Sequence, residues 1–276
     1  MDKIRLIASD MDATLLDEQS QLPADFEETI HALAELGIRF APASGRPLYT
    51  LDAMFPTLQD ELVFIGDNGG AIRWKGQNLF TSEMSPEGWR ALNRLTREQG
   101  DIAVLCGLES AYVERSFAVH DAVLRHFYTK IEYVDRLEDV TAPADKFTIY
   151  LPQHNAQQAY DTVYASQRSI YSVAVAGECW VDIMNPGVHK GAALQTLGHL
   201  LGLPSESMMA FGDTYNDAEM LQTVRYGFLM ENGSEPLRQK LPFLAPSHRE
   251  AGVMQVLHRV LAQNGCVCPE DFVPAH

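Results

Sequence analysis

The feature of this sequence that most constrains the fold is a repeated alternation of short apolar runs with amphipathic stretches of helical period. Apolar runs that read as strands lie at residues 4–9, 38–43, 62–65 and 208–211, and helical periodicity lies at 24–36 and 191–201. Strand, helix and strand in succession predict right-handed crossovers and a parallel sheet. The predicted fold class is therefore α/β, with a Rossmann-like, doubly wound parallel sheet.

The pattern changes in the middle of the chain. From Met84 to Pro186, helices and short strands follow one another without the strand-helix-strand order, which is typical of a separate α+β unit. A chain of 276 residues is long enough for a main domain with a sizeable insert. We therefore predict a core formed by residues 1–83 and 187–276 and an inserted α+β domain at 84–186.

The charge of the chain argues against two classes of partner. The sequence has 21 Lys and Arg against 37 Asp and Glu, a formal net charge of -16. This balance repels nucleic-acid backbones and anionic membrane surfaces, so neither is expected as a partner. No run approaches the roughly 20 apolar residues of a membrane span. A small phosphate ester stays compatible, because a metal ion and a few cations can reverse the potential inside one pocket. The oligomeric state is not indicated by the sequence.

The cysteines indicate a reducing compartment. The chain has 4 cysteines, few for its length and without the paired spacing of a metal site. Cys266 and Cys268 could chelate a metal through their sulfur atoms. We favour the interpretation that they are two reduced thiols near the carboxyl terminus. Together with the absence of a secretory core before Asp10, this pattern predicts a cytoplasmic protein.

Aspartate pairs follow two of the predicted strands. Asp10 and Asp12 come directly after the first strand, and Asp213 and Asp217 follow the strand at 208–211. In a doubly wound sheet, ligands bind at the carboxyl ends of the strands, so the two pairs are expected to meet. Two like charges about 4 Å apart repel by about 4 kcal/mol at an effective dielectric of 20. Such a cluster requires a divalent cation, and ligands that are all oxygen favour Mg²⁺.

Groups suited to a phosphate occur at comparable places. The Ser44-Gly45 turn after the second strand offers a hydroxyl and backbone N–H groups. Lys190 stands at the start of a predicted helix, whose amino end adds positive potential. A carboxylate nucleophile, a second carboxyl for proton transfer, a metal and a phosphate clamp are what phosphoryl transfer through an aspartyl-phosphate requires.

These segments resemble the four motifs of the haloacid dehalogenase (HAD) superfamily. The matching segments are Asp10-Met11-Asp12-Ala13-Thr14-Leu15-Leu16, Ser44-Gly45-Arg46, Lys190-Gly191 and Gly212-Asp213-Thr214-Tyr215-Asn216-Asp217. The insert lies between motifs two and three, and the segment 187–191 resembles the return into the core of the Cof-type, class IIB branch. The resemblance spans essentially the whole chain and implies a HAD core with a cap of the C2B type.

The resemblance also implies an activity and a set of roles. A Cof-type protein would be a Mg²⁺-dependent phosphatase of small phosphorylated metabolites, with sugar phosphates first and nucleotide or cofactor phosphates behind them. Asp10 would be the nucleophile and a metal ligand, Asp12 the general acid/base and a ligand through its backbone carbonyl, and Asp213 the remaining protein ligand. Asp217 would support the metal through water or Lys190. The phosphate would be held by the Met11 backbone, Ser44, Gly45, Lys190 and Asn216.

Some positions depart from the motifs, and others have a role that the sequence leaves open. Ala13 replaces the glycine usual after the second aspartate, where the backbone turns sharply. The segment 230–233, Met-Glu-Asn-Gly, replaces a Gly-Asn-Ala-like turn and is expected to bring Glu231 to the pocket rim. Arg46 is either a substrate contact or a surface ion-pair partner. The turn at 67–70 either approaches the substrate or only connects strands.

Two other functions remain compatible with the same motifs. One is a phosphotransferase or mutase that passes the phosphate to a sugar rather than to water. The other is a phosphate-sensing regulator with little turnover. Aromatic residues of the insert, namely Phe147, Tyr171 and Trp180, are expected in its apolar core rather than at a ligand.

Overall fold

The computed structural model describes residues 2–275. Its strands are, in chain order, β1 (Asp2–Lys3), β2 (Leu6–Ser9), β3 (Arg39–Pro42), β4 (Val63–Gly66), β5 (Ala71–Trp74), β6 (Gln77–Thr81), β7 (Ile102–Gly107), β8 (Ala111–Glu114), β9 (Ile131–Val134), β10 (Ala144–Tyr150), β11 (Ser172–Val175), β12 (Trp180–Met184), β13 (Met208–Gly212), β14 (Tyr226–Met230), β15 (Phe243–Ala245), β16 (Cys266–Val267) and β17 (Val273–Pro274). The α-helices are α1 (Phe26–Glu35), α2 (Leu48–Met54), α3 (Pro86–Gln99), α4 (Asp121–Phe127), α5 (Ala156–Thr162), α6 (Lys190–Leu201), α7 (Ala218–Thr223), α8 (Glu235–Arg238) and α9 (Gly252–Ala262).

A largely parallel sheet forms the centre of the molecule. Its strand order is β17-β15-β14-β13-β2-β3, and every pair except β15 with β17 is parallel. Parallel bridges from Phe40 to Leu62 and from Ala43 to Ile65 continue it towards β4. Strand β2 therefore lies between β3 and β13, and the carboxyl ends of all three meet at one edge. The predicted α/β fold class is confirmed.

Alternate residues of the central strands pack on opposite faces of this sheet. Ile7 of β2 packs in the cluster that includes α1 and α9, whereas Leu6 and Ala8 pack with α6 and α7. Both faces are covered, which explains why the strands read as uninterrupted apolar runs rather than as alternating ones.

The segment from residue 84 to residue 186, called the inserted segment below, forms a second sheet. Its strand order is β11-β12-β10-β7-β8-β9, antiparallel except for the pair β8 and β9. One face packs on α3 and α5 through side chains such as Phe147 and Ile183. Since successive strand residues point to opposite faces, Lys146, Thr148 and Asp182 lie on the other face. That face lies over the edge of the central sheet where the carboxyl ends of β2, β3 and β13 meet.

Sequence periodicity misses the short elements. Helix α2 and strands β9, β15, β16 and β17 were not anticipated, because runs of two to seven residues give little periodic signal. Strands β5 and β6 form a hairpin with the two-residue turn Lys75-Gly76, in which both residues have positive φ. No helix within residues 2–275 has the length and apolar character that crossing a bilayer would demand.

Candidate active site

The predicted motif residues meet at the carboxyl ends of three neighbouring strands. Asp10 follows β2, Ser44 follows β3, and Asp213 follows β13. All three line a cleft of about 1500 Å³, whose other walls come from the inserted segment. The topology of the sheet, rather than proximity in sequence, brings these groups together.

Lys190 connects two of the aspartates. Its Nζ donates hydrogen bonds to Asp10 Oδ1 at 2.5 Å and to Asp217 Oδ1 at 2.7 Å, and its side chain is 1% exposed. Burial alone would lower the pKa of Lys190, but the two carboxylates raise it above its usual value. The pKa of Asp10 is raised well above its usual range, first by burial and then by Asp217. Lys190 therefore stays protonated and offsets part of a buried negative charge.

Asp217 is held on both of its oxygens. Oδ1 accepts from Lys190, and Oδ2 accepts from the backbone N–H groups of Asp213 and Thr214 at 3.1 and 3.2 Å. A Cβ at Gly212 would stand 2.5 Å from Asp217, so only glycine at that position lets the carboxylate fold back over the strand end. This geometry fits a residue that fixes the Gly212–Asp217 loop and Lys190.

Three carboxylates form the one cluster of possible metal ligands among residues 2–275. Oxygens of Asp10, Asp213 and Asp217 lie within 4.8 Å of one another, and all three residues are buried. Burial first, and Asp217 second, raise the pKa of Asp213 to about 7. Buried carboxylates that repel one another in this way fit a divalent cation, and an all-oxygen donor set suits Mg²⁺.

Asp12 lies apart from this cluster and pairs with Arg46. Arg46 donates to Asp12 Oδ1 at 2.8 Å and to Oδ2 at 3.3 Å, and its third contact is the backbone carbonyl of His126 in the inserted segment at 3.0 Å. The Asp12 side chain is 51% exposed, whereas that of Arg46 is only 7% exposed. Arg46 is therefore not a surface ion-pair partner. It links the first motif to the inserted segment across the cleft.

The predicted phosphate-binding residues surround the same space. Ser44 is buried, and its Oγ accepts from the Arg46 N–H at 3.1 Å. Gly45 and Asn216 line the cleft, and Asn216 Oδ1 accepts from the Thr214 hydroxyl at 2.6 Å. Met11 is the exception, because it is fully buried in the apolar core and is not among the described residues that line the cleft.

A family model described as haloacid dehalogenase-like hydrolase matches residues 7–257. The chain belongs to this family. The family match spans both the site and the inserted segment and confirms the family predicted from the motifs. Relatives named as phosphatases confirm the predicted phosphatase class.

Curated HAD-like relatives cover almost the full chain. The protein named 5-amino-6-(5-phospho-D-ribitylamino)uracil phosphatase YbjI from Escherichia coli (strain K12) is 31% identical over 94% of this chain and 96% of its own length. An HMP-PP phosphatase from Cronobacter sakazakii is 31% identical over 87% of this chain and 89% of its own. The solved structure of SMU.1108c from Streptococcus mutans UA159 has a TM-score of 0.84 at 28% identity, covering 94% of this chain and 99% of its own.

The two departures from the HAD motifs have structural explanations. Ala13 adopts the left-handed conformation, with φ 57°, that glycine would adopt more easily. Asn232 Nδ2 donates to the Ala13 carbonyl at 2.9 Å and so holds this turn in place. The expectation for Glu231 is wrong: Glu231 is exposed and is not among the described residues that line the cleft. The altered turn supports the first motif rather than carrying a carboxylate to the rim.

Sequence reasoning missed a buried charge cluster contributed by the inserted segment of this HAD-like chain. Lys146 is 1% exposed, and its Nζ donates to the Gly45 carbonyl at 2.5 Å. It also pairs with Asp67 Oδ1 at 3.1 Å and Asp182 Oδ2 at 3.7 Å. The signal was present in part, since Asp182 interrupts the otherwise apolar strand β12, and Lys146 and Thr148 alternate with apolar residues in β10.

The aromatic residues of the insert divide between core and cleft. Phe147 is fully buried in the apolar core, as expected. Trp180 and Tyr171 also pack against apolar clusters, but they are partly exposed and line the cleft, so the expected core position describes them only in part. Trp180 packs edge-on against Phe127, at 5.2 Å between ring centroids, and the Arg46 guanidinium lies 5.3 Å from the same Phe127 ring.

Proposed function

We propose that this chain is a Mg²⁺-dependent phosphatase that hydrolyses small-molecule phosphate monoesters through an aspartyl-phosphate on Asp10. The observation that carries the proposal is the buried Lys190, which contacts Asp10 and Asp217 beside a third carboxylate, Asp213. A single ammonium does not balance three carboxylates, so the site accommodates a divalent cation and, through it, a phosphate dianion.

Asp10 is the group suited to attack phosphorus. It is an oxygen nucleophile at the bottom of the cleft, with Lys190 on one oxygen and the other oxygen available. Asp10, Asp213 and the backbone carbonyl of Asp12 would hold Mg²⁺, with Asp217 acting on the metal indirectly through Lys190. The bound metal would neutralise the charge of the phosphoryl oxygens and of the nucleophile.

Asp12 is suited to proton transfer. It is two residues from the nucleophile, its side chain is half exposed, and its ion pair with Arg46 leaves it outside the carboxylate cluster. From there it would protonate the leaving oxygen and later take a proton from the attacking water. Arg46, through its two hydrogen bonds to the carboxylate, would hold Asp12 in position between these steps.

The phosphate would be bound by groups on three loops. Ser44 and Gly45 offer a hydroxyl and backbone N–H groups, Lys190 offers its ammonium, and Asn216 and the Met11 backbone complete the set. The preferred substrate class is a small phosphorylated metabolite, with sugar phosphates first. The Escherichia coli and Cronobacter sakazakii relatives are named for phosphatase activity on other small phosphate compounds.

The inserted segment would act as a mobile cap in this scheme. Residues 84–186 leave the core after β6 and return just before Lys190, so both connections lie near the phosphate site. Closure over the cleft would exclude bulk water and strengthen the electrostatic contacts to the phosphoryl group. A reducing, cytoplasmic location is consistent with four free cysteines.

A phosphate-release screen tests the proposal. The purified chain is offered a panel of sugar, nucleotide and cofactor phosphates with Mg²⁺, with excess chelator, and with Mg²⁺ plus a sugar acceptor. Release of inorganic phosphate that needs Mg²⁺ and ignores the acceptor supports a phosphatase. Phosphate that moves to the acceptor indicates a phosphotransferase, and the absence of turnover on every ester indicates a regulator.

A further inference from the structure

A strained turn lies beside the proposed phosphate loop. Asp67 and Asn68, directly after β4, have φ values of 50° and 55°, which is the left-handed region that side chains rarely occupy. The turn is fixed to the phosphate loop by backbone bonds: Asn68 N–H donates to the Ser44 carbonyl at 2.9 Å, and Asp67 N–H donates to the Arg46 carbonyl at 3.0 Å. Two consecutive strained residues held by the surrounding structure are a common feature of functional loops.

The Asn68 side chain is oriented by a residue of the inserted segment. Its Nδ2 donates to Asp182 Oδ2 at 2.7 Å, and the other oxygen of Asp182 accepts from the Thr148 hydroxyl at 2.7 Å. Because Asp182 Oδ2 is the acceptor of this hydrogen bond, the NH₂ group of Asn68 faces Asp182. The amide oxygen of Asn68 must then point the other way. This contact joins the core turn to the sheet of the inserted segment.

The amide oxygen of Asn68 is buried and lacks a donor. Asn68 is 3% exposed, and within residues 2–275 its Oδ1 accepts no hydrogen bond. It lines the cleft beside Gly45, where any residue larger than glycine would place its Cβ only 3.2 Å from this oxygen. A buried amide oxygen without a partner is costly, by about 1–3 kcal/mol, so its persistence at a cleft indicates a donor supplied by a ligand.

We propose that Asn68 recognises the leaving group of the substrate, its Oδ1 accepting a hydrogen bond from a hydroxyl on the carbon next to the ester carbon. The inference rests on the proposed phosphatase function and deepens it. A donor that close to the ester fits the position of Oδ1, which lies against the Ser44-Gly45 phosphate turn. Asp182 makes the recognition depend on the inserted segment, since only that segment fixes the amide orientation.

The test compares two esters that differ by one hydroxyl. Glycerol 3-phosphate carries a hydroxyl next to the ester carbon, and 3-hydroxypropyl phosphate lacks only that group. For the wild-type chain with Mg²⁺, kcat/KM should be about 10- to 100-fold higher for glycerol 3-phosphate, the range expected when a buried acceptor is left unpaired. Asn68→Gly keeps a residue that tolerates positive φ and removes the amide, so the ratio should fall to near one.

Asn264→Gly is the matched control. Asn264 also has positive φ, 53°, but it is exposed and lies after α9, away from the cleft. This variant should keep the wild-type ratio. The ratio is the readout because a merely structural defect lowers kcat/KM for both esters together.

Several outcomes overturn the inference. A wild-type chain that cleaves the two esters equally, or cleaves p-nitrophenyl phosphate but neither of them, contradicts recognition of this hydroxyl. An Asn68→Gly chain that keeps the wild-type ratio does the same. A wild-type chain that releases no phosphate from any ester, p-nitrophenyl phosphate included, overturns the proposed function itself, whereas a missing ratio overturns only the role of Asn68.

Discussion

Lys190 Nζ lies 2.5 Å from Asp10 Oδ1, although the two residues are 180 positions apart in the chain. The same ammonium lies 2.7 Å from Asp217 Oδ1, so one buried cation holds the ends of β2 and the loop after β13 together. The contact forms only when the parallel sheet and α6 are both in place. The fold of the core, rather than closeness in sequence, therefore assembles the site.

Replacing Lys190 should weaken the fold as well as the activity. Lys190→Met leaves Asp10 and Asp217 buried without their cation, which should reduce the free energy of unfolding by about 3–5 kcal/mol. Urea denaturation in chelator measures this loss, with the exposed Lys3→Met as the control. Added Mg²⁺ should recover part of the stability, because a bound cation again offsets the carboxylates. An equal loss with and without Mg²⁺ would argue against a metal at this cluster.

Lys146 should matter to a similar degree, although it belongs to the inserted segment. Lys146→Met removes the only ammonium that contacts Asp67, Asp182 and the Gly45 carbonyl within the described chain. We expect the variant to lose about 3–5 kcal/mol of unfolding free energy, measured by urea denaturation. Lys130→Met, at an exposed position of the same segment, should lose little. A Lys146→Met chain as stable as the control would mean that the buried pair contributes nothing net.

Ala13 offers a test of backbone strain. Its φ of 57° favours glycine, so Ala13→Gly should keep activity and change the unfolding free energy by about 1 kcal/mol or less, towards stability. Ala13→Val places a β-branched side chain in the same conformation and should be clearly destabilising. Thermal melting measures the difference, and the melting temperature of Ala13→Val should lie below that of Ala13→Gly. Equal melting temperatures would show that the turn relaxes away from the left-handed region.

The stability of the protein should depend on pH through Asp67. Burial raises the pKa of Asp67 from 3.8 to about 6, although Lys146 opposes the shift. Between these values the folded state holds the proton more tightly than the unfolded chain does, so this contribution to stability is greatest below about pH 4 and is lost as the pH rises to about 6. The contribution of Asp67 to the unfolding free energy through this shift is at most about 3 kcal/mol.

Asp67→Asn isolates that contribution. The variant should show a smaller fall in unfolding free energy between pH 4.5 and 6.5 than the wild-type chain, whereas the exposed Asp60→Asn should reproduce the wild-type slope. Urea denaturation at several pH values provides the comparison. A wild-type slope in Asp67→Asn would assign the pH dependence to other buried carboxyls.

Much of the fold and of the site could be predicted from the sequence, because each rests on a local pattern. Apolar runs ending in Asp10, Ser44 and Asp213 identify the central strands and the edge where they meet. The pairing of Asp12 with Arg46 and the placing of Lys146 and Asn68 could not be predicted. Asp12 and Arg46 come from two different loops of the core, and Lys146 and Asn68 are positioned by contacts between the core and the inserted segment. No short-range pattern encodes either arrangement.

The aromatic residues illustrate the same limit. Phe147 and Trp180 both lie in strands of the inserted segment, yet Phe147 is fully buried in the core and Trp180 lines the cleft. Strand register decides which residue lies on which face, since successive residues along a strand alternate between the two faces of the sheet. The period of two was visible in the sequence, but which face covers the cleft was not.

Attack of the Asp10 carboxylate on phosphorus is tested most directly by phosphate release from Asp10→Asn, with Mg²⁺ and the best substrate of the wild-type chain. The amide keeps the size of the side chain but cannot form the acyl-phosphate, so turnover should fall to the background while circular dichroism and thermal melting show a folded protein. Asp60→Asn, purified alongside, should retain full turnover. An Asp10→Asn chain that stays folded and releases phosphate at the wild-type rate would show that Asp10 is not the nucleophile.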